Sequence, residues 1–205
     1  MDLKDAIYAR RAVRAYKLDP IDEATIRAII DAAIQAPSAV NEQPWSFTVV
    51  RDKALLACVS DAARAHMLAT TPVGLLSHHF KYILSDPKFN IFYDAPVLIV
   101  IASKTEGPWA TIDCALAAQN LILAARAAGL GTCSIGFSQG FLATPDGKAQ
   151  INLPPAYLPV APIVVGHPVS FPSSVPRKAA EISWGGAGMR QLALTAVPHL
   201  PAESS

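Results

Sequence analysis

The chain has 205 residues, a formal net charge of +1 and 52% apolar residues, but only 16% charged ones, against about a quarter in an ordinary soluble domain. That balance, with no run of about five or six like charges, excludes a nucleic-acid or membrane-surface binder that works by bulk electrostatics. It also leaves more apolar side chain than one subunit of this size hides, so an obligate homodimer is expected.

In chain order, residues 2–10 form a first helix with Leu3, Ala6 and Ile7 on one side, and Pro20 closes the connection after it. Asp22 caps a second helix in which Ile26, Ile29, Ile30, Ala33 and Ile34 recur at helical spacing until Pro37 stops it. "SFTVVR" is a short strand and "KALLACVSDAARAHML" returns to helix. "APVLIVIAS" is a continuous apolar run of strand length, the pattern of a strand covered on both faces. From Trp109 to Ala128 comes the longest helix, apolar nearly all round, as suits the middle of a core or a subunit interface. Gly129 is placed to end it. "TCSIGF" is a short run, and "YLPVAPIVVGHP" gives a last central strand. Strands separated by helices indicate an α+β fold, an α/β sandwich with helices over the sheet, built as one domain over 1–205. The aromatic, weakly periodic residues 66–93 are expected to form a lid or pocket wall.

No stretch has the ~18 uninterrupted apolar residues of a membrane span, and "MDLKDAIYARR" has no signal-peptide apolar core. A cytoplasmic protein is expected. Cys58, Cys114 and Cys133 are odd in number and lack a CxxC pair, so they read as buried reduced thiols, not a disulfide framework or a zinc site. "GLGTCSIG" has Ser134 where the dinucleotide fingerprint needs a third glycine, and it follows a helix instead of a strand. GxxxxGK[ST], HExxH and GxSxG are absent. His78 and His79 point to diverging sides. No metal ligands and no catalytic acid–base or nucleophile emerge.

Four stretches stand out once the core pattern is subtracted: "RRAVR" at 10–14, "PSAVNEQPW" at 37–45, "GLGTCSIGF" at 129–137 and "PRKAAEI" at 176–182. Each lies at an element boundary, where unpaired backbone donors can meet a ligand. Arg10 and Arg14, four apart, share a face of a persisting helix, and guanidinium forks suit a phosphate. Arg177 and Lys178 supply a second basic pair. Ser38, Asn41 and Gln43 offer groups able to read the polar edge of a planar heterocycle. Each feature also has a plain structural reading, as a solvated charge cluster or a turn.

Together and in this order, "RRAVRAY", "APSAVNEQPW", "DCALAAQNLILAARAAGLGTC" and "PRKAAEI" resemble the FMN-dependent nitroreductase family, and "INLPPAYLPVAPIVVGHP" is similar to its penultimate strand motif. The resemblance spans Ala6 to Ile182 and implies a nitroreductase-like fold: a central, mainly antiparallel sheet flanked by helices, in an obligate dimer with the long helix at the interface. It further implies that Arg10, Arg14 and Arg177 hold the FMN phosphate and that Arg11 lies along the ribityl chain. Ser38, Ala39 and Asn41 approach the flavin from the partner subunit. Ile135 and Gly136 lie beside the isoalloxazine, with a backbone N–H at N5. Ala12 stands where the family usually has Ser, removing one hydroxyl donor. The implied activity passes electrons from NADH or NADPH through FMN to an electron-poor acceptor such as a nitroaromatic or a quinone. Other flavin chemistry of the same superfamily (dehalogenation, ring dehydrogenation, flavin breakdown) and a non-catalytic flavin-binding role are the alternatives.

Overall fold

The computed structural model describes residues 1–72 and 77–185. Its elements run α1 (Leu3–Ala9), α2 (Glu23–Ala33), a single 3-10 turn (Ala39–Asn41), β1 (Trp45–Val50), α3 (Lys53–Thr70), α4 (His78–Ser85), β2 (Val97–Ser103), α5 (Ala110–Ala127), β3 (Gly131–Ser134), α6 (Gly136–Leu142), α7 (Pro145–Gln150) and β4 (Leu158–Gly166). Side-chain caps set several of the starts. Asp2, Asp22, Asp52 and Thr144 each accept a backbone N–H from the first turn that follows, satisfying a donor that the helix itself cannot.

The four strands pair antiparallel in the order β1-β2-β4-β3. All seven residues of β2 are buried, because helices cover both faces of the sheet. Alternation along β2 sends Leu98, Val100 and Ala102 to one core with Leu56, Val59 and Ala63 of α3 and Leu142 of α6. Val97, Ile99 and Ile101 go to the other, with Ile26, Ile29 and Ala33 of α2 and Cys114, Ala117 and Leu121 of α5. This double coverage turns the continuous apolar run into a strand with no solvent face.

At the end of α5, Gly129 takes φ 77°. Its N–H donates to Arg126 O, and the Leu130 N–H reaches back to Ala125 O. That pair of bonds is a Schellman ending, and glycine is there for the left-handed conformation it requires. Among the described residues α3 equals α5 in length, at 18 residues each. The all-round apolar character of α5 resolves into an inner face and an outer one on which Trp109, just before it, Ile112 and Leu116 stay 59%, 49% and 41% exposed.

Two expectations are corrected, for Cys58 and for the chain after α1, and the first helix buries little. Only Ala6 of the first helix is buried, while Leu3 and Ile7 lie open. A seven-residue helix packs against α5 through one small residue and leaves its larger ones outside. Cys58 is exposed, on the outer side of α3, whereas Cys114 and Cys133 are buried. The helical continuation through Arg10 to Arg14 does not form, as described below. Met1–Ser173 makes up one compact unit and Ser174–Ser205 a second. In the second, residues 174–185 carry neither helix nor strand and their side chains are exposed.

Candidate functional site

The α1 helix ends at Ala9, and Arg10 turns into the extended region at φ −62°, ψ 129°. From there the chain runs beside β3. Ala12 bridges Thr132 in parallel, and the Val13 N–H donates to Thr132 O at 2.9 Å. The segment then meets the chain beyond β4, where Tyr16 bridges Pro168 and the Lys17 N–H donates to His167 O at 2.8 Å. Edge hydrogen bonding has outcompeted a further helical turn. Alternation of the extended chain, not a helical face, now turns Val13 into the core and leaves Arg14 exposed.

The three arginines part company. Arg11 folds back on α1, its Nη1 donating to Tyr8 O at 2.9 Å and to Arg10 O at 2.6 Å. It thereby caps the carbonyl end of its own helix. Arg14 lies over the Tyr93 ring, Cζ to centroid 5.9 Å, and lines a cavity of about 680 Å³ together with Lys53, Lys88, Asn90 and Asp94. Among the described residues none of Arg10, Arg14, Lys53 and Lys88 forms an ion pair. Lys53 and Lys88 are cations that sequence reasoning missed, because they carry no motif and join Arg14 only in space. Burial raises the Cys133 thiol pKa, and the nearby Arg14 charge opposes that shift. Burial also pushes the Tyr16 phenol up, with Cys133 adding to it and Arg14 acting against it. The Tyr16 hydroxyl donates to Val13 O at 2.8 Å.

Just past β3, the Ile135 N–H is spent on Pro162 O at 2.8 Å and its side chain is buried. Gly136 is exposed, has no backbone acceptor for its N–H among the described residues and leaves open space where a Cβ would stand. Of the two, Gly136 is therefore the one able to donate to a ligand. Aromatic rings gather close by: Phe137 lies edge-on to Phe80 at 5.8 Å and Phe141 near His66 at 6.1 Å.

The Ser38–Gln43 loop has an unusual backbone. Val40, Asn41 and Gln43 take φ of 47°, 59° and 51°, which side chains other than glycine rarely adopt. Ser38 Oγ accepts the Gln43 N–H at 3.0 Å, and Gln43 Nε2 donates to Asn41 Oδ1 at 2.9 Å. This leaves the Ser38 hydroxyl proton and the Asn41 amide protons available. The Ala39 N–H donates to the carboxylate of Asp113 on α5, 3.3 Å from each oxygen.

Residues 7–167 match the Nitroreductase family. The chain belongs to that family. It is 30% identical over 179 residues, 85% of this chain and 81% of the other, to a Methanothermobacter thermautotrophicus protein provisionally named an NADH dehydrogenase/NAD(P)H nitroreductase. It is 28% identical, over 83% of this chain and 68% of the other, to an FMN reductase [NAD(P)H] of Bacillus subtilis. Among solved structures, a nitroreductase with bound FMN from Desulfitobacterium hafniense superposes with a TM-score of 0.74 at 26% identity, covering 89% of this chain and 100% of that one.

Within this chain, the sheet separates the predicted site residues. Val13, Tyr16, Cys133 and Ile135 belong to the core on one face. Ala36 and Trp45, which flank the Ser38–Gln43 loop, belong to the core on the other. The arginine segment and Gly136 are thus brought together, and the loop is not brought to them within one chain. Arg177 lies in the second unit, exposed and in neither helix nor strand. It falls beyond the family match, which ends at 167. The expected lid over 66–93 comprises the end of α3, α4 and the loop up to Tyr93, and its residues 73–76 lie outside the described residues. No described helix is long and apolar enough to cross a membrane.

Proposed function

We infer that this nitroreductase works as a homodimer in which each Ser38–Gln43 loop completes the flavin site of the partner, and that its acceptor is an electron-poor small molecule such as a nitroaromatic or a quinone. The chain is an FMN-dependent oxidoreductase that draws electrons from NADH or NADPH, as its family, its relatives and the FMN-bound neighbour support. One observation carries the site: the arginine segment runs parallel to β3, whose far end presents the unspent N–H of Gly136. An anionic tail and a planar ring acceptor can be met along one edge of the sheet.

The residues present fit FMN. Arg10 and Arg14, free of carboxylate partners among the described residues, hold the phosphate; for Arg177 the family resemblance alone suggests the same role. Ala12 contributes no hydroxyl there; two guanidiniums carry the charge without it. Arg11, its Nη1 committed to α1, makes the lesser contact along the ribityl chain. The Gly136 N–H donates to the ring nitrogen whose basicity changes on reduction. Ser38, Ala39 and Asn41 of the partner's loop orient the ring. When bound, FMN supplies the two-electron chemistry itself, so the protein's work is to bind, orient and stabilise developing negative charge. That is why no His or Glu need act as acid or base.

Dimerisation is supported by the outer face of α5. Trp109, Ile112 and Leu116 stay exposed in helical register on one face, and a contiguous apolar patch is the kind of surface that marks an interaction site. The test is spectroscopic. Purified protein should take up FMN and turn yellow, and NADH or NADPH should bleach it anaerobically. Nitroaromatic, quinone and halogenated phenol acceptors then rank the substrate classes. Protein that takes up no FMN overturns the reading, and flavin that neither nucleotide bleaches would favour a non-catalytic binder.

A further inference from the structure

We propose that Asp113 is the positioning residue of the flavin loop: from α5 its carboxylate holds Ser38–Gln43 in the left-handed shape that presents Ser38 and Asn41. The proposal rests on the flavin reading above, but its first half, that Asp113 sets the loop, stands on the geometry alone.

Three non-glycine residues at positive φ within four positions make the loop a conformation the chain abandons unless something over-determines it. Val40 is the least tolerant of them, being β-branched, and it is 97% exposed, so burial does not hold the tip. Inside the loop, the bonds Asn41 N–H to Ser38 O, Glu42 N–H to Ala39 O and Gln43 N–H to Ser38 Oγ are all local. They shape the turn without fixing where it sits. Beyond the loop, the Lys104 N–H on Pro44 O secures its exit. Among the described residues the hydrogen bond that ties the loop itself to another element is the one from the Ala39 N–H to Asp113.

Asp113 is built for that task. It is 3% exposed and lies in the first turn of α5, where the unpaired N–H groups of the helix favour a carboxylate. A buried carboxylate is costly unless it is hydrogen-bonded, so loop and carboxylate stabilise one another. Because α5 also carries the exposed Ile112 and Leu116, the same helix that offers the apolar patch sets the loop beside it.

The experiment uses the full chain and three variants. Asp113→Ala removes the acceptor. Asp113→Asn keeps an oxygen at the same place. Ala39→Pro deletes the donor and leaves Asp113 in place, at the first position of a 3-10 turn, where proline fits, and after Ser38, whose φ −139° and ψ 154° already suit a residue before proline. Because Ala39 also faces the proposed flavin, the hydrogen-exchange readout of this variant in flavin-free protein is the one that isolates the loop. Asp113→Ala and Ala39→Pro should raise the dissociation constant for FMN about tenfold or more, the loss of one hydrogen bond to a charged group. They should also alter the visible circular dichroism of bound flavin and speed hydrogen exchange at residues 40–43 in flavin-free protein. Asp113→Asn should bring all three readouts back to within about threefold of wild type.

Unchanged FMN affinity and circular dichroism alongside a lowered melting temperature would overturn the proposal, leaving Asp113 merely structural. If Asp113→Ala does not fold, Ala39→Pro decides by the exchange readout. If the wild type takes up no FMN, it is the flavin reading that fails; the exchange measurement then still rules on the loop, faster exchange supporting Asp113 and unchanged exchange rejecting it.

Discussion

Gly131 and Gly166 face each other in register across β3 and β4, and at each the place of a Cβ is already filled. Val13 Cβ would stand 2.8 Å from one added at Gly131, and Tyr16 Cδ1 2.6 Å from one added at Gly166. The pair of missing side chains is what lets the arginine segment lie down on the sheet. Gly166→Ala should therefore cost about 1–3 kcal/mol, an overpacking penalty, because the Pro96 ring at 2.8 Å blocks escape on the other side. Urea denaturation measures it. Gly131→Ala should destabilise the fold and weaken FMN binding together, since the residue it displaces, Val13, directly precedes Arg14.

Arg14 is exposed and forms no ion pair among the described residues, so its guanidinium does little for folding. Arg14→Ala should leave the urea midpoint almost unmoved while raising the FMN dissociation constant roughly tenfold or more, the value of a charge-assisted hydrogen bond. Fluorescence titration of FMN gives the affinity, and equal values for mutant and wild type would reject the phosphate assignment. Because the contact is electrostatic, wild-type affinity should also fall with added salt.

The outer face of α5 yields a test of assembly. Placing glutamates at Ile112 and Leu116 puts two charges where a dimer would have to desolvate them without partners. Sedimentation should show the wild type at twice the chain mass and the double variant at one. The variant should lose its flavin as well, because in the proposed dimer the loop that completes each site comes from the other subunit. A variant that stays dimeric and yellow would contradict the proposed interface.

Cys114 gives the molecule an alkaline limit. Burial, helped by the adjacent Asp113 charge and opposed by a hydrogen bond with Ser103, pushes its thiol from 9.0 up to about 11. Between those values the unfolded chain gives up the proton and the folded one keeps it, so the folded state binds more protons and stability falls as pH rises. Below the unfolded value the contribution is fully present. Denaturation of wild type and Cys114→Ala across that window should show the steeper decline in the wild type, even though the variant starts less stable from the cavity it creates. Parallel slopes would remove Cys114 as the cause.

Local chemistry made much of the chain readable. Asp22 before a 3.6-residue apolar repeat places α2, and six consecutive apolar residues, 97–102, place β2. Gly129 ends α5 because only a left-handed residue closes a Schellman turn without strain. These outcomes depend on neighbours within a few positions. The order of the four motifs was also enough to point to flavin chemistry, through the family they resemble.

What the sequence by itself determined, then, was the helices α2, α3 and α5, the strands, the family and the residue types of the candidate site, whereas α4, α6 and α7 were not legible in it. The tertiary structure alone decided their geometry. Arg10 to Arg14 is extended, not helical, because β3 offers a free edge and the paired glycines Gly131 and Gly166 leave room for the chain to cross. Lys53, Lys88 and Arg14, with 35 or more positions between Arg14 and either lysine, meet in one cavity. Asp113 reaches a loop 74 positions earlier, and the sheet puts that loop on the face away from Gly136. No local periodicity encodes such relations, because they arise from strands pairing across long loops and from the backbone donors that this pairing leaves over or uses up.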